Sequence, residues 1–316
     1  MILFEKQKPL ISIIIPTYKR HAVQVRKAIL SALNQTYENV EVVVVDDNAS
    51  PENKVFRDEI LNMVSKIDSK QLVCVCNKIN LGGSLSRNVG IDASRGDYIS
   101  FLDDDDEYLP NKISNQYAHM NKENLDISIS NMYIYNEFNQ VIDIREFELN
   151  SYDYIDLKKY HLTKQITGTP RFLFKRNVLV DVGGFDDAVM GQEWFLIDKI
   201  IEKKCYKFGY IPICDIKVYR TKNESISNSK NKIVGERRIY ECKKAFSYLL
   251  TKKEKRYLAF RHNVILCIAY KRNHKFLLFL TYCFMIGWCF PLNTIKEIKN
   301  AFNNKKKCKH INKIKE

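Results

Sequence analysis

The chain has 316 residues, 45% of them apolar, and a formal net charge of +14. Its length allows roughly two ordinary domains and its apolar content a substantial core, so disorder throughout is excluded. The charge is uneven, because residues 236–316 carry 20 Lys and Arg against 5 Asp and Glu while residues 1–235 are close to neutral; attraction to a polyanion therefore belongs to the C-terminal part.

The first nine residues, MILFEKQKP, lack a sustained apolar core followed by a small-residue cleavage site. No secretory leader is expected, and the location predicted is cytoplasmic. Apolar, largely β-branched runs then recur at 10–15, 39–45, 71–75 and 97–102, separated by helical patterns at about 23–34, 52–67 and 84–93. Strand and helix in alternation predict a mostly parallel sheet with crossover helices, an α/β fold of Rossmann-like type. Further on, 125–150 carries a hairpin pattern and 166–174 another strand signal. A Val182-Gly183-Gly184-Phe185-Asp186 turn and a helix over 194–203 follow. From residue 236 onward only helical patterns remain. The Ser/Asn/Lys-rich stretch 224–232 sets a soft boundary, giving a catalytic domain over 1–230 and a basic helical tail over 231–316.

In parallel sheets ligands bind beyond the carboxyl ends of the strands. Those ends carry Pro16-Thr17-Tyr18-Lys19-Arg20, Asp46-Asp47-Asn48, Asn80-Leu81-Gly82-Gly83-Ser84 and Asp103-Asp104-Asp105-Asp106. Each taken singly is ordinary turn or cap chemistry. All four at successive strand ends point to one ligand site. Close carboxylates repel unless a cation neutralises them, and an Asp-x-Asp holding Mg²⁺ or Mn²⁺ leaves coordination positions for a diphosphate. Tyr18 can stack on a base, Asp47 can accept from a base N–H, and Arg87 can reach phosphate. The nine cysteines form neither a CxxC pair nor a Cys/His cluster, so structural zinc is not expected and a reducing compartment is.

The motifs ISIIIPTYKR, VVVVDDNAS, NLGGSLSRNVGIDASRGDYISFLDDDDEYLP, GTPRFLFKR and VGGFDDAVMGQEWFL together resemble a family 2 glycosyltransferase with the GT-A fold, over about residues 10–220. The resemblance implies transfer of a sugar from a UDP-linked donor to a hydroxyl with inversion. It further implies that Pro16, Tyr18, Arg20 and Asp47 line the base site and that Gly83 and Arg87 line the donor site. Asp103, Asp104 and Asp105 would form the Asp-x-Asp motif, with Asp103 and Asp105 at the metal, Asp104 beside the nucleotide sugar and Asp106 as the acidic residue that often follows. The general base would be Glu193, in Gln192-Glu193-Trp194, with Asp186 and Asp187 as fallbacks. Two positions depart from the pattern: Phe195 stands where many relatives have Asp, and Val218-Tyr219-Arg220-Thr221 lacks a His, so no third metal ligand is assigned.

Residues 276–290 are uncharged and flanked by Lys271, Arg272, Lys275, Lys296 and Lys299. A helix of that length, about 22 Å, is too short to cross a bilayer. It is either a buried helix or a shallow membrane element, and its basic flanks favour an anionic membrane surface. The expected protein is thus peripheral on the inner face of the membrane, with a polyprenyl-diphosphate-linked glycan as acceptor in surface polysaccharide synthesis. A non-catalytic nucleotide- or glycan-binding protein is the alternative. Nucleic acid is not an expected partner, because the aromatic residues do not alternate with Lys and Arg.

Overall fold

The computed structural model describes residues 8–147, 149, 151–188, 190–220 and 231–315. In chain order the elements are β1 (Ile11–Thr17), α1 (Ala22–Leu33), β2 (Val40–Asp46), α2 (Lys54–Ser65), β3 (Leu72–Cys76), α3 (Gly82–Ala93), β4 (Tyr98–Phe101), β5 (Glu107–Tyr108), α4 (Lys112–Glu123) and β6 (Ile127–Tyr135). There follow β7 (Val141–Arg145), α5 (Tyr154–Lys164), β8 (Phe172–Lys175), α6 (Arg176–Asp181), α7 (Gln192–Glu202), β9 (Phe208–Tyr219), α8 (Asn231–Ala245), α9 (Lys252–Arg272), α10 (Phe276–Cys289) and α11 (Pro291–Lys315).

The chain forms two compact units, one of residues 1–132, 168–187 and 203–218, the other of 133–167, 188–202 and 219–316. A single cut near residue 230 therefore does not describe the packing. The physical reason lies in α5 and α7, whose Leu162, Trp194 and Phe195 share one apolar cluster with Ile239, Leu250 and Leu258 of the C-terminal helices. Most of the 224–232 stretch and the leader region 1–7 lie outside the described residues.

In the first unit β3, β2, β1 and β4 run parallel in that order. β1 and β2 are buried on both faces, with Ile11, Ile13–Ile15 and Val42–Val45 inaccessible to solvent, which is why they read as continuous apolar runs. The chain winds outward from β1 to β3 and then returns to place β4 on β1's other side, so the switch point falls between the ends of β1 and β4. β4 then pairs antiparallel with β8, and β8 with β6. β4 leaves β1 at Ile14, so Pro16, lacking an N–H, falls where the ladder on that side has ended. Helix α3 lies close on the sheet because Gly90 has no side chain; a Cβ there would meet Ile14 Cγ2 at 2.3 Å.

Three local expectations change. Gly82 and Gly83 begin α3 instead of forming a loop before it. The run 166–174 is strand only from Phe172, because Gly168 at φ 95° and Pro170 set a 3-10 turn over Thr169–Arg171. The hairpin over 125–150 is β6 and β7, turning through Asn136–Gln140 with Asn139 at φ 56°.

Candidate active site

Asp103, Asp104 and Asp105 follow β4, and Tyr18 and Arg20 follow β1, so the switch point gathers them. The acidic run alternates: the Asp103 and Asp105 side chains are 38% and 36% exposed, that of Asp104 only 10%. Arg20 is bound into this run, its Nε donating to Asp104 at 3.2 Å and its Nη2 to Asp105 at 2.9 Å. Arg87, in the second turn of α3, donates to Asp103 at 2.6 Å and to the Gly83 carbonyl at 3.1 Å. Burial, reinforced by the Asp104 and Asp103 charges and opposed by Arg20, pushes the Asp105 carboxyl up to about 6. Burial raises Asp104 as well, against the pull of Arg20.

The outward pair suits a divalent cation. Asp103 and Asp105 are accessible hard oxygen donors, and the burial and neighbouring charges that raise Asp105 are a condition a cation would relieve. Among the described residues no group of three His, Cys, Asp or Glu is arranged to hold a metal.

Two of the expected ligand residues have partners within the protein. Asp47 is buried, and its carboxylate accepts from Asn77 and Asn80 side chains (2.7 and 3.0 Å) and from the Leu81 and Gly82 backbone N–H groups (both 2.8 Å). With two donors on each oxygen, it orders the 77–82 loop that leads into α3. Asp104 faces inward to Arg20, and Asp103 and Asp105 are the more exposed carboxylates of the run. Tyr18 is 42% exposed, with Asn53 Nδ2 donating to its hydroxyl at 3.5 Å, and remains available for stacking. Gly83 is exposed in the first turn of α3, at a helix N-terminus, whose dipole favours anions.

Several partners that fix the site have no strong sequence signal. Arg57 on α2 donates to the fully buried Asp46, and Asn88 on α3 clamps Phe185, accepting from its N–H and donating to its carbonyl, both at 2.8 Å. Phe185 in turn lies against Phe101 (5.2 Å) and under the Arg87 guanidinium (5.7 Å). Gly184, at φ 64°, lets this turn approach, since a Cβ would meet Asn88 Oδ1 at 2.4 Å. The only hint in the sequence is an Asn one turn inside a helix, too common to read.

In the second unit Glu193 sits half-buried in the first turn of α7, with no hydrogen-bond or ion-pair partner among the described residues. Its neighbour Trp194 is fully buried and stacks on His161 at 4.9 Å. His161 accepts from the Ile166 N–H at Nδ1 and donates from Nε2 to the Trp194 carbonyl, which assigns the neutral Nε2–H tautomer. Burial, with the Lys243 and Lys158 charges, holds it well below its ordinary pKa. One turn along, Asp198 receives Lys158 Nζ at 2.8 Å, and Glu202 the same Nζ at 2.7 Å. The carboxylates of α7 thus differ: Asp198 and Glu202 are committed to packing, Glu193 is not. Phe195, at the position where many relatives have Asp, is buried beneath the Arg238 guanidinium at 4.8 Å. Asp186 is tied by further contacts and Asp187 follows it.

Residues 12–183 match the family described as glycosyl transferase family 2. The chain belongs to that family. Among curated relatives, this family 2 glycosyltransferase is 35% identical to WfaP of Escherichia coli, a UDP-Glc:alpha-D-GlcNAc-diphosphoundecaprenol beta-1,3-glucosyltransferase, over 41% of this chain and 48% of WfaP. It is 26% identical to the GalNAc(5)-diNAcBac-PP-undecaprenol beta-1,3-glucosyltransferase of Campylobacter jejuni, over 71% of this chain and 69% of that one. The matched part is thus about half of WfaP's length. Among solved structures, Staphylococcus aureus TarS residues 1–349 bound to UDP-GlcNAc superposes with a TM-score of 0.56 at 16% identity, covering 84% of this chain and 73% of that one. That likeness establishes the GT-A type of fold.

Proposed function

We propose that this transferase moves a hexose or N-acetylhexosamine from a UDP-sugar, UDP-glucose by preference, to a sugar carried on a polyprenyl diphosphate, with inversion, at the cytoplasmic face of a membrane. The observation that carries the reading is the rim at the switch point, where the outward Asp103 and Asp105, two arginines and the exposed Tyr18 meet. The family membership and the undecaprenol-linked acceptors named for the two relatives support it. A beta-linked product from an alpha-linked nucleotide sugar also requires inversion.

In the proposed reaction Glu193 accepts the acceptor hydroxyl proton as the oxygen bonds the anomeric carbon, and the bond from that carbon to the diphosphate breaks, releasing UDP. A Mg²⁺ or Mn²⁺ ion held by Asp103 and Asp105 would offset the charge of the departing diphosphate. Arg87 holds Asp103 in place and keeps a positive charge near that diphosphate, while Tyr18 stacks on the uracil. The basic C-terminal helices keep the enzyme at an anionic surface. Assay of the full-length protein against UDP-glucose, UDP-galactose and UDP-N-acetylhexosamines, with a polyprenyl-diphosphate-linked sugar, tests the reading; absence of transfer from every donor would reject it.

A further inference from the structure

Among the described residues, α10 and α11 carry ten of the 22 large apolar side chains that are exposed. On α10, Phe276, Leu277, Leu280, Phe284 and Trp288 are open to solvent, and Phe279, Tyr282, Ile286 and Phe290 pack with Phe260 and Val264 of α9. On α11, Leu292, Ile295, Ile298 and Phe302 are exposed at a spacing of 3, 3 and 4 residues, which keeps them on one side of the helix. Lys306, Lys309 and Lys313 continue the same stripe at 4, 3 and 4, and all are exposed. The opposite side is already used: Asn304 donates to Asp143, Cys308 is buried, and the Asn312 amide pairs with both backbone groups of Val141 on β7.

No single helix among the described residues is long and apolar enough to cross a membrane, and α10 meets α11 at a bend of 103°. The bend is built into the packing. Arg256 of α9 donates to the Cys289 carbonyl at the end of α10, Tyr257 donates to Glu297 on α11 at 3.0 Å, and Pro291 opens α11 where its missing N–H costs nothing. Basic residues stand at both ends of the α9–α10 pair, Lys271, Arg272 and Lys275 at one and Lys252, Lys253 and Lys255 at the other. At 14 residues α10 reaches only about 21 Å, short of the roughly 30 Å hydrocarbon core, so it cannot span end-on with both basic ends at an interface.

We infer that α10 and the first half of α11 form an L-shaped element that lies in the plane of one leaflet of an anionic membrane, its apolar side at the headgroup–acyl boundary and its lysines on lipid phosphates. The inference rests on the membrane attachment proposed above and specifies its form: embedded in one leaflet, neither spanning nor held by charge alone.

Trp288 makes this measurable, because the chain has two tryptophans and the other, Trp194, is fully buried. Full-length protein is mixed with phosphatidylcholine vesicles with and without phosphatidylglycerol, and with vesicles whose acyl chains are brominated near the headgroup or near the tail end. The expected result is at least about tenfold preference for anionic vesicles, retention in about 1 M salt where pure charge attraction is screened, and quenching of Trp288 stronger for shallow than for deep bromines. Trp288→Phe should remove the quenching but not the binding. Lys306→Glu with Lys309→Glu should lose the anionic preference, and Leu280→Ser with Phe284→Ser should make binding salt-labile; all are exposed, so folding is not at stake. Binding fully stripped by salt with Trp288 unchanged overturns the embedded form while leaving attachment standing, and stronger deep quenching overturns the in-plane arrangement. A stable dimer that shields Trp288 without lipid assigns the surface to a second copy. No binding to any vesicle overturns both the inference and the attachment on which it rests.

Discussion

Among the described residues Glu193 is set apart from Asp198 and Glu202 on α7 by having no hydrogen-bond or ion-pair partner. Glu193→Gln is expected to lower kcat by about 100-fold or more while UDP affinity stays within a factor of two; steady-state rates paired with calorimetry check this, and wild-type turnover would remove it as base. Asp105→Asn is expected to abolish divalent-dependent UDP binding, which titration calorimetry with and without Mn²⁺ reads directly. Asp47 carries a different expectation, because its carboxylate orders a loop. Asp47→Ala leaves four donors without their acceptor, one of them on the buried Asn77, and should cost about 2 kcal/mol, seen as a lower Tm. The acidic run and Tyr18 could be picked out of the sequence because residue type and strand-end position suffice. The roles of Asp47 and Asp104 could not, since they depend on partners, Asn77, Asn80 and Arg20, that other strand ends deliver.

At the scale of elements, the helix bearing Glu193 is seated on a buried polar group of unusual composition. Lys243, whose Nζ lies 5.9 Å from the Trp194 ring, has its pKa pulled down to about 8 by burial, against the attraction of Glu236. At pH 7 the folded chain still carries that charge at a cost; between about pH 8 and 10.5 the unfolded chain binds more protons, so stability from this group rises with pH. Lys243→Met should therefore gain up to about 3 kcal/mol relative to wild type at pH 7, and the gain should fade as pH approaches 10.5. Denaturant melts of both proteins across that range test it; a constant difference would refute it. The strands β1, β2 and β4 were legible because burial writes an unbroken apolar run, and β3, half-buried at the sheet edge, because its Leu and Val residues sit in a short run without charge. β5 is too short to show a period, β9 is interrupted by Pro212, and α4 and α5 are rich in Asn, Lys and Tyr, which mask their apolar stripes.

For the whole molecule, the division into units changes how the tail is tested. Removing everything after residue 235 would strip Ile239, Leu250 and Leu258 from Trp194 and Phe195, so loss of activity would report on α7 and not on the membrane. Surface substitutions on α10 and α11 separate the two. The net charge has a similar double character: it reads in the sequence as a polyanion address, yet only the structure shows that Lys306, Lys309 and Lys313 extend an apolar stripe, while Lys307 turns to Glu146.

The L formed by α10 and α11 also bears on how this enzyme would be measured. A catalyst confined to a leaflet meets its lipid-borne substrate in two dimensions, so encounter depends on how crowded that leaflet is and not on how much lipid the tube contains. Diluting the acceptor with inert phospholipid at constant total acceptor should slow the full-length protein, whereas adding more vesicles of unchanged composition should not. The natural unit for its KM is then mole fraction.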